Sequence, residues 1–226
     1  MAISISRRGA VEPFHAMDVL ASANRLRAAG VPVVSMAVGQ PSDPAPAAVR
    51  AAARKALEAG RIGYTDALGI APLRQAIAHH YQEHYRLTVS PERIAVTTGS
   101  SAAFNLAFLA MFDVGDRVAI AAPGYPAYRN IMAALGLDVV EIELDGAPFL
   151  TAAHLLSAHR DKPLNGVLFA SPANPTGAVV PVGELAALVT AAEAAGISVI
   201  SDEIYHRLAY GAPDVSALQF SDTVTV

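Results

Sequence analysis

Cysteine is absent from the 226 residues, so disulfides and cysteine-ligated metals are excluded, though this does not fix a compartment. Charge is sparse. Only 16% of residues are charged and the net charge is -4, so no basic field invites nucleic acid. No apolar run approaches the roughly 20 residues that a membrane span requires. The first ten residues, MAISISRRGA, carry two arginines with no apolar core behind them, and do not read as a signal peptide. A cytoplasmic protein without nucleic-acid or membrane partners is the expectation. Lysine occurs only at Lys55 and Lys162, a scarcity that matters below.

What is present is apolar: 53% of residues are hydrophobic, ample for one large core in one or two domains. Helical spacing of Phe14, Met17, Leu20 and Ala21 predicts a helix over 13–30. A short apolar strand is expected at 33–38, ending in the turn-rich GQPSDP, and an Ala-rich helix at 46–59. The stretch 61–69, RIGYTDALG, reads as a loop with one aromatic, Tyr64, before a helix over 72–85. His79, His80 and His84 on that helix lack the His-Glu-x-x-His arrangement, so metal binding is not expected.

From Arg93 the pattern turns regular. Strands are expected at 94–98, 118–121, 139–144, 167–170 and 198–205. They alternate with helices at 101–112, 126–135, 151–159 and 182–195. Such alternation predicts an α/β fold, a largely parallel sheet with helices on both faces. The last residues, SDTVTV, read as a strand just beginning, and a truncated chain is inferred from that.

The turns after the strands carry the chemistry. SVISDEIY at 198–205 is a buried apolar strand running into Asp202 and Tyr205, placing both at the lip of a crevice where strand carboxyl ends meet loops. Thr97-Thr98-Gly99-Ser100-Ser101-Ala102 joins a strand to a helix whose free N–H groups suit an anion. Pro123-Gly124-Tyr125-Pro126 holds a tyrosine between prolines, able to offer a flat face to a ring. Ser171-Pro172-Ala173-Asn174-Pro175 sets an amide at another strand end, where it can donate to a phenolate-like oxygen or bond its own backbone.

In this order on this framework, these segments resemble the class I/II (fold-type I) aminotransferases over nearly the whole chain. The resemblance implies the large domain of a pyridoxal-phosphate (PLP) dependent transferase, with a seven-stranded type of sheet. It implies that Ser100, Ser101 and Ala102 hold the PLP phosphate and that Tyr125 stacks on the pyridine ring. Asn174 and Tyr205 would bond the phenolic oxygen, and Asp202 would pair with the ring nitrogen. Tyr64 would reach the cofactor of the partner subunit in a homodimer, and Gly39 would lie near the substrate carboxylate. A carboxylate beside a pyridine nitrogen favours its protonated form, which makes the ring an electron sink for the carbanion left when an amino acid loses its α-proton.

One part is missing. PLP is carried as a Schiff base on a lysine. Neither Lys55, on the Ala-rich helix, nor Lys162, in a turn before a strand, fits the family's serine-rich lysine motif. The Schiff-base lysine is expected beyond Val226, with 1–38 forming an arm and the start of a small domain and 39–226 an incomplete cofactor domain. The resulting expectation is an aminotransferase that moves an amino group from an amino acid to a 2-oxo acid, the 226 residues alone being inactive. The alternatives are a PLP-dependent carbon–sulfur lyase on the same scaffold, or a non-catalytic aminotransferase-like ligand-binding domain.

Overall fold

The structure, a computed structural model, describes residues 4–60, 62–211 and 213–226. Arg61, the first residue of the loop expected at 61–69, lies outside them, as do the first three residues of the segment weighed as a leader. By internal packing the chain divides into two compact units, Met1–Glu12 with Ala71–Val226, and Pro13–Ile70. The domain boundary expected at 38/39 falls inside the second of these.

The unit Pro13–Ile70 holds α1 (His15–Ala28) and α2 (Ala47–Glu58). Alanine and straight-chain residues dominate α2, which favours a helix without tertiary help; none of its residues is buried. The strand expected at 33–38 does not form. Val34 and Met36 are 93% and 94% exposed and no neighbouring strand lies beside them among the described residues. Alternating apolar residues give only a tendency, and a partner or a buried face must realise it.

The larger unit is built on four parallel strands: β1 (Arg117–Ala122), β2 (Asp138–Glu143), β3 (Gly166–Ala170) and β4 (Ser198–Asp202). Their order is β2-β1-β3-β4. The linking helices are α3 (Ala71–Tyr85) and α4 (Ser100–Met111) before the sheet, then α5 (Pro126–Leu135), α6 (Ala152–Asp161) and α7 (Val182–Ala194). Period-two alternation sorts the strand side chains. Val118, Ile120, Leu168 and Ile200 join Phe104, Phe108, Tyr128 and Met132 of α4 and α5 on one face. Ala119, Val167, Phe169 and Val199 join Leu155, Leu185, Leu188 and Val189 of α6 and α7 on the other. Helices cover both faces of the inner strands β1 and β3, which is why these two read as nearly continuous apolar runs, whereas the edge strand β2 carries exposed acidic residues.

Local chemistry sets several ends. Thr151 caps α6 through its side chain, accepting from the His154 N–H at 3.3 Å. Gly136 ends α5 at φ 85°, a left-handed conformation that glycine adopts without steric cost. At the start of β3, Gly166 lies under the Phe112 ring, where an added Cβ would stand 2.3 Å from Cζ.

The strand expected at 94–98 is a correction. Ile94 is extended, at φ -105° and ψ 122°, yet 94–98 has no ladder partner among the described residues. The strand expected near the end amounts to one parallel bridge, Ile200 to Thr225, with Ser201 N–H donating to Thr225 O at 2.8 Å and Thr225 N–H to Val199 O at 3.0 Å. No described helix is long and apolar enough to cross a membrane.

Candidate active site

The carboxyl ends of β1, β3 and β4 lie side by side, and each runs into one of the segments picked out by sequence. At the last position of β4, Asp202 is fixed on both oxygens. Oδ1 accepts from the Ile204 N–H at 3.0 Å and Oδ2 from the Tyr128 hydroxyl at 2.6 Å. Its backbone carbonyl accepts from Ser171 N–H at 3.1 Å, tying the loop after β3 to the end of β4.

Tyr128 was not singled out by the sequence. It lies three residues after Tyr125, one helical turn on, and that spacing is the signal that was available. Its ring meets Tyr125 edge-on with centroids 5.3 Å apart, and Phe104 of α4 edge-on at 5.1 Å. Burial, then the neighbouring Asp202 carboxylate, push the Tyr128 phenol far above its ordinary range, so it stays a hydrogen-bond donor to Asp202.

Asn174 and Tyr205 line one cavity of about 490 Å³, together with Pro172, Leu208 and Tyr210. Among the described residues no hydrogen bond of the Asn174 amide is found, so it does not cap its own turn, and it borders the cavity. Asn174 also borders a narrow space of about 30 Å³ shared with Gly124 and Tyr128. Gly124 makes the turn after β1 tight: a Cβ there would lie 2.6 Å from the Ala121 carbonyl oxygen. The peptides Ala122–Pro123, Ser171–Pro172 and Asn174–Pro175 are cis.

Gly99, at φ 94°, precedes α4, and Ser100 and Ser101 form its first turn. Their N–H groups are among those that a helix start leaves without intrahelical partners. The Ala102 N–H is directed back to the Gly99 carbonyl at 3.2 Å, so Ser100 and Ser101 provide the freer donors. Phe104, one turn along, carries α4 onto Tyr128. The remaining two candidates, Gly39 (exposed) and Tyr64 (110% exposed), belong to the unit Pro13–Ile70.

The lysines lie elsewhere. Lys162 follows α6 and its Nζ stands 3.5 Å from Oδ2 of Asp138, the first residue of β2. Arg117, which opens β1, donates to the same Asp138 oxygen at 3.1 Å and to the Lys162 carbonyl. Lys162 therefore sits at the amino ends of the strands, and Asp202 at the carboxyl end of β4. Five residues of strand set these ends about 16 Å apart. Lys55 is on α2, in the other unit.

Parallel strands with helices on both faces, and a carboxylate, an amide and two phenols at the carboxyl ends, define an α/β domain with its polar groups gathered at one end of the sheet. The sequence matches the profile of the family described as aminotransferase class I and II over residues 31–225, and the chain belongs to that family. It is 51% identical over 214 residues to the valine–pyruvate aminotransferase of Mycobacterium tuberculosis, covering 94% of this chain and 55% of that protein. With the aspartate/prephenate aminotransferase of Thermus thermophilus the identity is 36%, over 91% of this chain and 54% of the relative. Among solved structures, an aminotransferase from Mycobacterium tuberculosis superposes at TM-score 0.92 with 49% identity, covering 99% of this chain and 58% of that one. Aspartate aminotransferase from Thermus thermophilus with maleate gives TM-score 0.92 at 34% identity, covering 99% of this chain and 59% of the other. The chain thus spans little more than half the length of the relatives it matches.

Proposed function

We propose that this chain is the cofactor-holding part of a PLP-dependent aminotransferase that moves an amino group from an amino acid to a 2-oxo acid. The observation that carries this is the Asp202 carboxylate, fixed at the end of β4 by Tyr128 and Ile204 N–H with the free amide of Asn174 on the neighbouring loop. The donor set fits the group: a carboxylate for a pyridine nitrogen, an amide and a phenol for a phenolic oxygen, and helix N–H groups for a phosphate.

In this reading Asp202 holds the ring nitrogen, Tyr125 covers the ring, and Asn174 and Tyr205 donate to the phenolic oxygen. Ser100, Ser101 and Ala102 take the phosphate at the start of α4, where the helix dipole favours an anion. Gly39 serves the substrate carboxylate. When bound, PLP supplies an electron sink for the carbanion formed at the amino acid's α-carbon. The residues of this chain bind and orient. Tyr128 keeps the Asp202 carboxylate turned to one side by its hydrogen bond. The tight turn at Gly124 holds Tyr125 against α5.

The lysine that carries the cofactor and moves the α-proton is supplied from beyond Val226, because Lys162 is anchored at the opposite ends of the strands. Residues 1–38 form the arm and the start of a small domain, and 39–226 the large domain. The working enzyme is a cytoplasmic homodimer, with the exposed Tyr64 reaching the partner's cofactor phosphate. The test is spectroscopic. The complete polypeptide with PLP shows a visible absorbance band and transaminates. Asp202→Ala loses most of that turnover, and near-normal turnover in that variant would overturn the reading.

A further inference from the structure

Glu203 follows Asp202 but turns away from the candidate site, into packing between β4 and α3. Its side chain is 8% exposed. Oε1 accepts from the Ser201 hydroxyl at 3.0 Å and from the Ala217 N–H at 2.7 Å. Oε2 is shut off from water and has no hydrogen-bond partner among the described residues. The polar group that faces it is His206 Nδ1, 3.7 Å away and beyond hydrogen-bonding distance. A buried unsatisfied acceptor costs free energy, so it calls for an explanation in a native fold.

The surroundings are rich in titratable groups. From α3, the Tyr85 hydroxyl meets His206 Nδ1 at 2.7 Å, and His80 and Tyr81 line the same cavity of about 250 Å³ as Glu203, His206 and Arg207. Arg207 meets His84 Nε2 at 3.2 Å, and its N–H donates to Asp214 at 2.6 Å. From the 3-10 turn Ala217–Gln219 and its cap come the Ala217 N–H and Ser216. The turn itself closes on Glu203, whose carbonyl accepts the His206 N–H at 3.0 Å. One carboxyl group thus joins β4, the turn at 203–206 and the 3-10 turn.

We propose that Glu203 is a positioning residue: its carboxyl group clamps the 203–206 turn between β4 and the 3-10 turn Ala217–Gln219, and so sets where Asp202 and Tyr205 stand. The inference rests on the reading of those two residues as cofactor ligands. It leaves Glu203 no contact with cofactor or substrate.

The clamp has a pH signature. Burial raises the Glu203 acid above its ordinary 4.5, opposed by the Ala217 N–H, His206, Ser216 and Ser201. The folded state therefore keeps this proton to higher pH than the unfolded state does. Its contribution is fully present below pH 4.5 and is lost as pH rises from there through the raised folded value.

The test uses the complete polypeptide. Glu203→Gln keeps an acceptor for Ser201 and Ala217 and removes the ionisation. Glu203→Ala removes the clamp. Ser201→Ala removes one bond without emptying the space, and stands in if Glu203→Ala does not fold. Amide exchange in the cofactor-free protein should rise about tenfold or more over 203–208 in Glu203→Ala, and less in Ser201→Ala, with β1 and β3 unchanged. Glu203→Gln should exchange as the wild type does and restore its PLP affinity. The Tm of Glu203→Gln should gain on that of the wild type as pH rises above 4.5. The proposal is overturned by unchanged exchange over 203–208 in Glu203→Ala and Ser201→Ala. It is equally overturned if Glu203→Gln loosens as much as alanine does, or if a loosened turn leaves PLP affinity intact. A wild type that binds no PLP would sink the cofactor reading, and the exchange rates would still decide the clamp.

Discussion

The Tyr128 hydroxyl donates a 2.6 Å hydrogen bond to Oδ2 of Asp202 and thereby joins α5 to the carboxyl end of β4. Tyr128 is 5% exposed, wedged between Phe104 and Tyr125, so the bond is made in a site with little competing water. It holds the carboxylate by one edge and leaves its direction fixed before any ligand arrives.

Tyr128→Phe should keep the ring packing and lose this bond. PLP affinity of the complete polypeptide should fall about tenfold, the worth of one hydrogen bond of about 1.4 kcal/mol. Asp202→Ala should cost more, roughly 100-fold or beyond in kcat. Equilibrium titration with PLP and steady-state transamination of both variants check the ranking, and equal effects would argue against an orienting role for Tyr128.

Gly166→Ala should destabilise the fold without touching the site. The new Cβ would stand 2.3 Å from the Phe112 ring, at the start of β3. A loss of about 1–3 kcal/mol is expected in urea unfolding, as for other overpacked cores. Adding Phe112→Leu should recover part of it, because the clash is with that ring.

Burial, then the Glu203 carboxylate, push the Tyr85 phenol up to about 12. An acid whose folded pKa is raised supports folding below the unfolded value of 10.0 and loses that support as pH climbs through about 12. Stability should therefore decline above pH 10, and Tyr85→Phe should flatten part of the decline. Thermal melts between pH 9 and 12 measure it (about two units above the ordinary phenol value suffice). An unchanged slope in the variant would count against the buried Tyr85–His206 pair.

Much of this was legible from sequence because the sheet is buried on both faces. Short apolar runs such as 167–170 and Val199-Ile200 marked strands, and the punctuating Gly136 and Gly196 marked helix ends. The segments 33–38 and 94–98 have the same apolar character but lack a neighbour to pair with, and pairing is a tertiary fact that no local pattern carries. The candidate site was legible at Asp202, Asn174 and Tyr125, which stand where strands end and the turns that punctuate the pattern begin. Tyr128 and Glu203 were not, since one reads as an ordinary helix residue and the other as the exposed half of an acidic pair. Their partners, the Asp202 carboxylate for Tyr128 and the Ala217 N–H for Glu203, lie 74 and 14 residues away and are brought to them only by the fold.

The location of the two lysines also gives a clear expectation. Lys162 is held at the amino ends of the strands by Asp138, with 66% of its side chain exposed, so Lys162→Ala should change stability by no more than about 1 kcal/mol. PLP retention should be the same as in the wild type, as measured by ultrafiltration.

The most direct test of the account is borohydride reduction of the PLP-loaded protein followed by peptide mass spectrometry, on the 226 residues and on the complete polypeptide side by side. The account predicts no stoichiometric PLP adduct on Lys55 or Lys162, and one adduct in the complete polypeptide on a lysine beyond Val226. A stoichiometric adduct on Lys162 or Lys55 accompanied by turnover would contradict it, since neither amine could then be remote from the ring held by Asp202.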